Sequence, residues 1–278
     1  MIRQLPGACL RALLVVVMVA TPSLLLPGAT DISEITILAA LVAGAFVLSE
    51  YAAPAPNLLE FRSAPPYNRI RFAILLAMLT LIAVAFSGGG GGSVLQRLVL
   101  AVGLLLGGAT DFVLSPIWLI LRLMPTEATP VQAQTVRAAA GLAYLVGLVG
   151  LSVFAIAIRV LGWPARGDAL NIWINLPTCD PNARGDVVAR LRRAGAVNIS
   201  LGILAPYLMP PLALLGARAF GLSMLRSDLL LVWVMSLWAF LPVCLFLRGI
   251  ALRRLALTIA LRRRRRAEVD ADPGFLPA

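Results

Sequence analysis

From its first residue the chain alternates between long apolar runs and short polar breaks. The runs cover 12–26, 35–53, 72–86, 94–124, 138–161, 197–215 and 229–247. Most are roughly 15–20 residues long, the length that carries a helix across a hydrocarbon core. Within them apolar side chains point in every direction and no period-2 alternation appears, which argues for helices and against an outer-membrane barrel. Lipid offers no hydrogen-bond partners, so backbone at that depth must satisfy itself internally. The predicted fold class is therefore all-α: a polytopic transmembrane helical bundle of seven to eight membrane segments, with short amphipathic interfacial helices.

The breaks refine this picture. The first run follows Arg3 and Arg11 and precedes Pro27-Gly28-Ala29. Those features resemble a signal peptide, but Pro27 suits a small-x-small cleavage site poorly, so the expectation is an uncleaved first helix. The tract 94–124 would be about 46 Å long as one helix, well beyond a core of about 30 Å. Gly107-Gly108 suits a helix end, and Thr110 or Asp111 suits the next N-cap. A hairpin of two short crossings is the preferred reading, and it makes eight segments in all. In 162–195, Val187, Val188 and Leu191 stand among Arg190, Arg192 and Arg193, the pattern of a short amphipathic surface helix. Pro206, Pro210 and Pro211 in the next run predict a bend near a helix end.

Charge sets the orientation. Hydrophobic residues make up 60% of the chain and charged ones 13%, and all 24 basic residues are Arg. Basic residues gather on the cytoplasmic side, so Arg262, Arg263, Arg264, Arg265 and Arg266 put the C-terminus inside. The eight-segment arrangement puts more of the loop arginines inside than a seven-segment one. It also makes both termini, the 54–71 loop and the 162–195 segment cytoplasmic. Residues 1–261 are read as one transmembrane domain and 262–278 as a cytoplasmic tail, in a bacterial inner (plasma) membrane. Before the tail, Leu252, Leu255 and Ile259 share one helical face, beside Arg253 and Arg254. This predicts an interfacial amphipathic helix over 250–262, with Arg253, Arg254 and the 262–266 arginines as the candidate anionic-lipid contacts. No aromatic side chains are interleaved with the arginines for base stacking, so nucleic acid is not an expected partner.

The same composition narrows the chemistry. With no His and no Lys there is no imidazole base or ligand and no Schiff-base lysine. Cys9, Cys179 and Cys244 are too scattered for a metal cluster. No catalytic, cofactor-binding or metal-binding residues are expected. Asp180 and Asp186 are six residues apart, a spacing that does not stack two carboxylates on one helical face. They are read as turn residues, and a lipid-active enzyme built on them is the weakest hypothesis. Gly103 and Gly107 lie four apart, as do Ala139 and Ala143, with Gly147 and Gly150 further along; these are candidate helix-packing faces. Asp111 and Glu50 are candidate intramembrane polar groups, with a capping role favoured for Asp111 and a reach to water or loop arginines for Glu50. The expected function is that of a non-enzymatic accessory, assembly or scaffold subunit of a larger membrane complex. Its expected partners are membrane lipids and other membrane subunits. The alternative is a small-solute transporter or channel using Asp111, Glu50 and the Pro-rich helix.

Overall fold

The computed structural model describes residues 5–26, 31–54, 58–87, 93–125, 128–164, 176, 186–219 and 227–271, with the backbone alone for 31–33 and 270–271. Among these residues there are eight α-helices and no strand. They are α1 (Leu5–Leu25), α2 (Asp31–Ala52), α3 (Tyr67–Phe86), α4 (Val94–Thr110), α5 (Pro116–Arg122), α6 (Pro130–Val160), α7 (Val187–Ala219) and α8 (Asp228–Ala271). Six of them, all but α4 and α5, are long and apolar enough to cross a membrane.

Local chemistry sets several boundaries. Ser93 caps α4 by accepting the Gln96 N–H, and Ser115 caps α5 by accepting the Trp118 N–H. Thr129 and Gln132 form a reciprocal capping box, with Pro130 in the first turn of α6. Such caps satisfy orphan N–H groups and contribute about 1 kcal/mol each. The Thr-Pro-x-Gln cap starts α6 eight residues ahead of its apolar run. That early start brings Arg137 onto a helix.

Side-chain contacts give the directions of the helices. Arg11 of α1 lies over the Tyr51 ring near the end of α2, and Gly44 faces Val16, so these two helices are antiparallel. Ile74 and Met78 of α3 meet Gly150 and Gly147 of α6, and Tyr67 meets Phe154; this pair is also antiparallel. Along α7 and α8, Gly195 lies against Arg253, Asn198 bonds Arg248 and Gly202 lies against Phe246. Helix α8 closes the core by setting Val243 on Gly147 and Trp238 on Tyr144.

These pairings gather the start of α1, the end of α2, the start of α3, the end of α6, the start of α7 and the end of α8 at one end of the bundle. Of the described arginines, only Arg97, Arg122, Arg137 and Arg218 belong to the opposite end. The N-terminal turn of α1 and the C-terminal turns of α8 therefore share the arginine-rich end. The stretch of α8 from Asp228 to Arg248 rises about 30 Å, one core thickness. From there α8 continues unbroken to Ala271.

Two expectations are corrected. The 94–124 tract is not a hairpin of two crossings. Gly107 and Gly108 lie inside α4, the chain turns after Thr110, and the 7-residue α5 is about 10 Å long, too short to cross. Because α3 arrives at the arginine-poor end and α6 departs from it, α4 and α5 begin and end there. The three prolines Pro206, Pro210 and Pro211 lie inside α7, which continues to Ala219. Proline 210 has no N–H for the carbonyl four residues earlier, and the Trp238 indole N–H donates to that Pro206 carbonyl at 3.0 Å. Finally, the two stretches predicted as separate interfacial helices are the ends of α7 and α8. Leu252 and Leu255 are buried in the same core as Val188 and Leu191, and Asp186 is joined to Arg263 at 2.6 Å. Protein, rather than a headgroup layer, covers the apolar stripe before the arginine run, and α8 carries that stripe and the arginines on one continuous helix.

Candidate functional site at the arginine-rich end

At the loop between α2 and α3 several polar side chains from α2, α7 and α8 converge. The Glu50 carboxylate, 3% exposed, accepts the N–H groups of Leu58 and Leu59 at 3.2 and 3.1 Å. Arg62 donates to the carbonyls of Glu50, Ala53 and Pro54, filling acceptors that the end of α2 leaves open. Arg248 of α8 grips Glu60 with two bonds of 2.7 and 2.8 Å and donates to Asn198 of α7 at 3.2 Å. A forked guanidinium–carboxylate pair has fixed geometry, so this contact docks the α7–α8 hairpin onto the loop.

An aromatic cluster sits above that pair. Phe61, Tyr67, Phe154 and Trp163 pack with ring centroids 4.6–6.3 Å apart. Phe61 has φ 55, a left-handed backbone that costs a non-glycine residue about 1–2 kcal/mol. Its ring is 1% exposed, and burial of a Phe offsets that cost with about 1.5–3 kcal/mol. The Trp163 indole donates to the Ala64 carbonyl, and Arg254 donates to the Trp163 carbonyl, each at 3.2 Å. Residues from the loop, α3, α6 and α8 thus hold one another in place.

The candidate residues from the sequence fall into separate places. Glu50 is in the loop network, whereas Asp111 is at the other end, as the C-cap of α4 and paired with Arg137 at 2.8 Å. Gly103 and Gly107 face α6, and a methyl group on Gly103 would lie 2.7 Å from the Ala138 carbonyl oxygen. Gly141, which the sequence reading passed over, is at the centre of that crossing, against Gly103 and Gly107. Ala139 and Ala143 are fully buried, while Gly147 receives Val243 and Gly150 receives Ile74. Arg253 is exposed beside Gly195, Arg254 is half-buried on Trp163, and Arg262, Arg263, Arg264, Arg265 and Arg266 are exposed along α8. Arg263 holds the Asp186 carboxyl below its ordinary range by hydrogen bonding to it. Asp180, Cys179 and the glycines 88–92 lie outside the described residues.

Sequence reasoning missed Glu60, Arg248 and the aromatic cluster, because Glu60 and Arg248 are 188 residues apart. Among the described residues no group of His, Cys, Asp and Glu side chains is placed to hold a metal ion. No family model, curated protein or solved structure matches the chain.

Proposed function

We propose that this protein is a non-enzymatic subunit that scaffolds or assists the assembly of a larger complex in the bacterial inner membrane, with both termini cytoplasmic. The observation that carries this reading is how little of α7 its own chain covers. Only 6% of the residues in its most apolar stretch are buried, against 50% for α8. Leu201, Leu204, Leu208 and Leu212 along it are about half exposed or more. The α1–α2 hairpin is similarly open, at 28% and 22%. A bundle with two broad lateral faces and a locked centre suits docking between other membrane helices, where shape matching rather than the hydrophobic effect drives association.

Membrane lipids and other membrane subunits are the proposed partners, with the exposed arginines at 262–266 meeting anionic headgroups. The arginine-rich end is the cytoplasmic one on the positive-inside rule. A transport role would draw on Glu50, Asp111 and the Pro-rich helix. The first two are bonded to backbone N–H groups and to Arg137, and the helix is continuous. The test is cross-linking in native membranes, followed by purification of the full chain. A partner in fixed stoichiometry supports the proposal. A particle containing this chain alone, from cross-linked membranes, overturns it.

A further inference from the structure

Helix α7 leaves a backbone acceptor open on its uncovered side. In an α-helix the carbonyl of residue 207 takes the N–H of residue 211, and in a tighter turn that of residue 210. Here both are proline and have no N–H. The Pro206 carbonyl, one residue earlier, receives the Trp238 indole from α8. Among the described residues no side chain and no other element donates to the Tyr207 carbonyl. Lipid tails have no donor to offer, so an acceptor inside the slab is costly until something else supplies one. The gap also faces away from the protein. Gly195, Asn198 and Gly202 set one side of α7 against Arg253, Arg248 and Phe246 of α8. On the opposite side Arg193, Val197, Leu204, Leu208, Pro211 and Leu215 follow at spacings of four, seven, four, three and four residues, which is one face of a helix. Val197, Leu204, Leu208 and Leu215 are each about half exposed or more. Arg193 is exposed at one end of this stripe and Arg218 at the other. Along the axis Tyr207 lies about 21 Å from Arg193 and about 16 Å from Arg218, near the middle of a core of about 30 Å.

We infer that this stripe receives a transmembrane helix of a different protein, one that donates a side-chain hydrogen bond to the Tyr207 carbonyl and carries a carboxylate opposite Arg193 at the arginine-rich end. The inference rests on the scaffold reading and names the chemistry of the partner. An acyl chain covers the stripe but leaves the acceptor open. A second copy in the same orientation sets Arg193 against Arg193 and Arg218 against Arg218, and such like charges repel. A helix with Ser, Thr, Asn or Gln near its middle supplies the donor. Asp or Glu at its end gives Arg193 a charge-assisted bond. Together the two contacts set the depth and register of the partner against α7.

The experiment is photo-cross-linking of the full chain in its native membranes, with benzoylphenylalanine replacing Leu204 or Leu208 and the captured peptide sequenced. That peptide should be a membrane-spanning segment of another protein, with a hydroxyl or amide side chain near its middle and Asp or Glu at its cytoplasmic end. Pro211→Ala supplies the missing N–H from within α7. It should lower capture about fivefold, the worth of one interhelical hydrogen bond in lipid. The same variant should unfold in SDS no more easily than wild type, because Ala suits a helix interior better than Pro. Arg193→Glu should also lower capture, and exchanging the partner's carboxylate for Arg should restore it. Capture of a second copy, of lipid alone, or of a helix without the donor and the acid overturns the inference. So does undiminished capture by Pro211→Ala, or a loss of stability in that variant. Capture from Leu13 or Leu41 of the α1–α2 hairpin, with none from α7, overturns this inference and leaves the scaffold reading standing. No protein captured from any of the four positions overturns both.

Discussion

The crossing of α4 and α6 offers a test with its control one residue away. Gly107 faces α6, where a methyl group would run into the Arg137 carbonyl, whereas a methyl group on Gly108 meets nothing within 4 Å. Replacing Gly with Ala in a helix gains about 1 kcal/mol of intrinsic propensity. Gly108→Ala should therefore be neutral or stabilising. At Gly107 the obstacle is backbone, which cannot rotate away, so α4 must lift off α6. Overpacking of this kind costs about 1–3 kcal/mol before the propensity gain is counted, and separating Asp111 from Arg137 adds to it. The two variants should differ in stability by about 2 kcal/mol, with Gly107→Ala the weaker. Gly141→Ala should be at least as damaging, because its methyl group would meet both Gly103 and Gly107. Unfolding in mixed micelles titrated with SDS, followed by circular dichroism, measures the difference. Hydrogen exchange at the α4 amides reports whether that helix loosens first. Equal stability of Gly107→Ala and Gly108→Ala would refute the close crossing.

Three further outcomes follow from the same structure. Trp238→Phe removes the donor to the Pro206 carbonyl and should cost about 1–3 kcal/mol. Pro210→Ala in that background restores a backbone N–H and should recover most of the loss in the same unfolding assay; no recovery would mean that the carbonyl is not the cause. Reporter fusions at Met1 and Ala278 should both read as cytoplasmic, and a fusion in the 87–93 link as external, whereas termini on opposite sides would break the deduced helix directions. Arg263 depresses the Asp186 pKa, so the contribution of this tether is present above the ordinary Asp value of about 3.9 and fades as pH falls through the lower folded value. Spin labels flanking residues 186 and 263 should keep one distance from about pH 8 to pH 5 and separate only in stronger acid; separation within the neutral range would argue against it.

The sequence by itself determined that this chain is a helical membrane protein, and it located the apolar centres of six long helices, because lipid demands runs of one length and helical backbone within them. It also pointed to one arginine-rich side, since charge bias acts through composition rather than contact. What covers each amphipathic stripe was settled only in three dimensions. The stripe at 187–195 and the one at 250–262 each needed an apolar cover, and a headgroup layer or another helix would serve equally as far as periodicity can tell. Antiparallel packing of α7 on α8 brought them into one core. The prolines posed the same kind of problem. A missing N–H predicts an orphaned carbonyl, but Trp238, 32 residues away, supplies the donor only because α8 returns alongside α7. Glu60 and Arg248 are ordinary charged residues in the sequence and become a lock only when the loop and α8 meet. Long-range pairing of this kind leaves no local signal, because each partner satisfies the rules of its own segment before the other arrives.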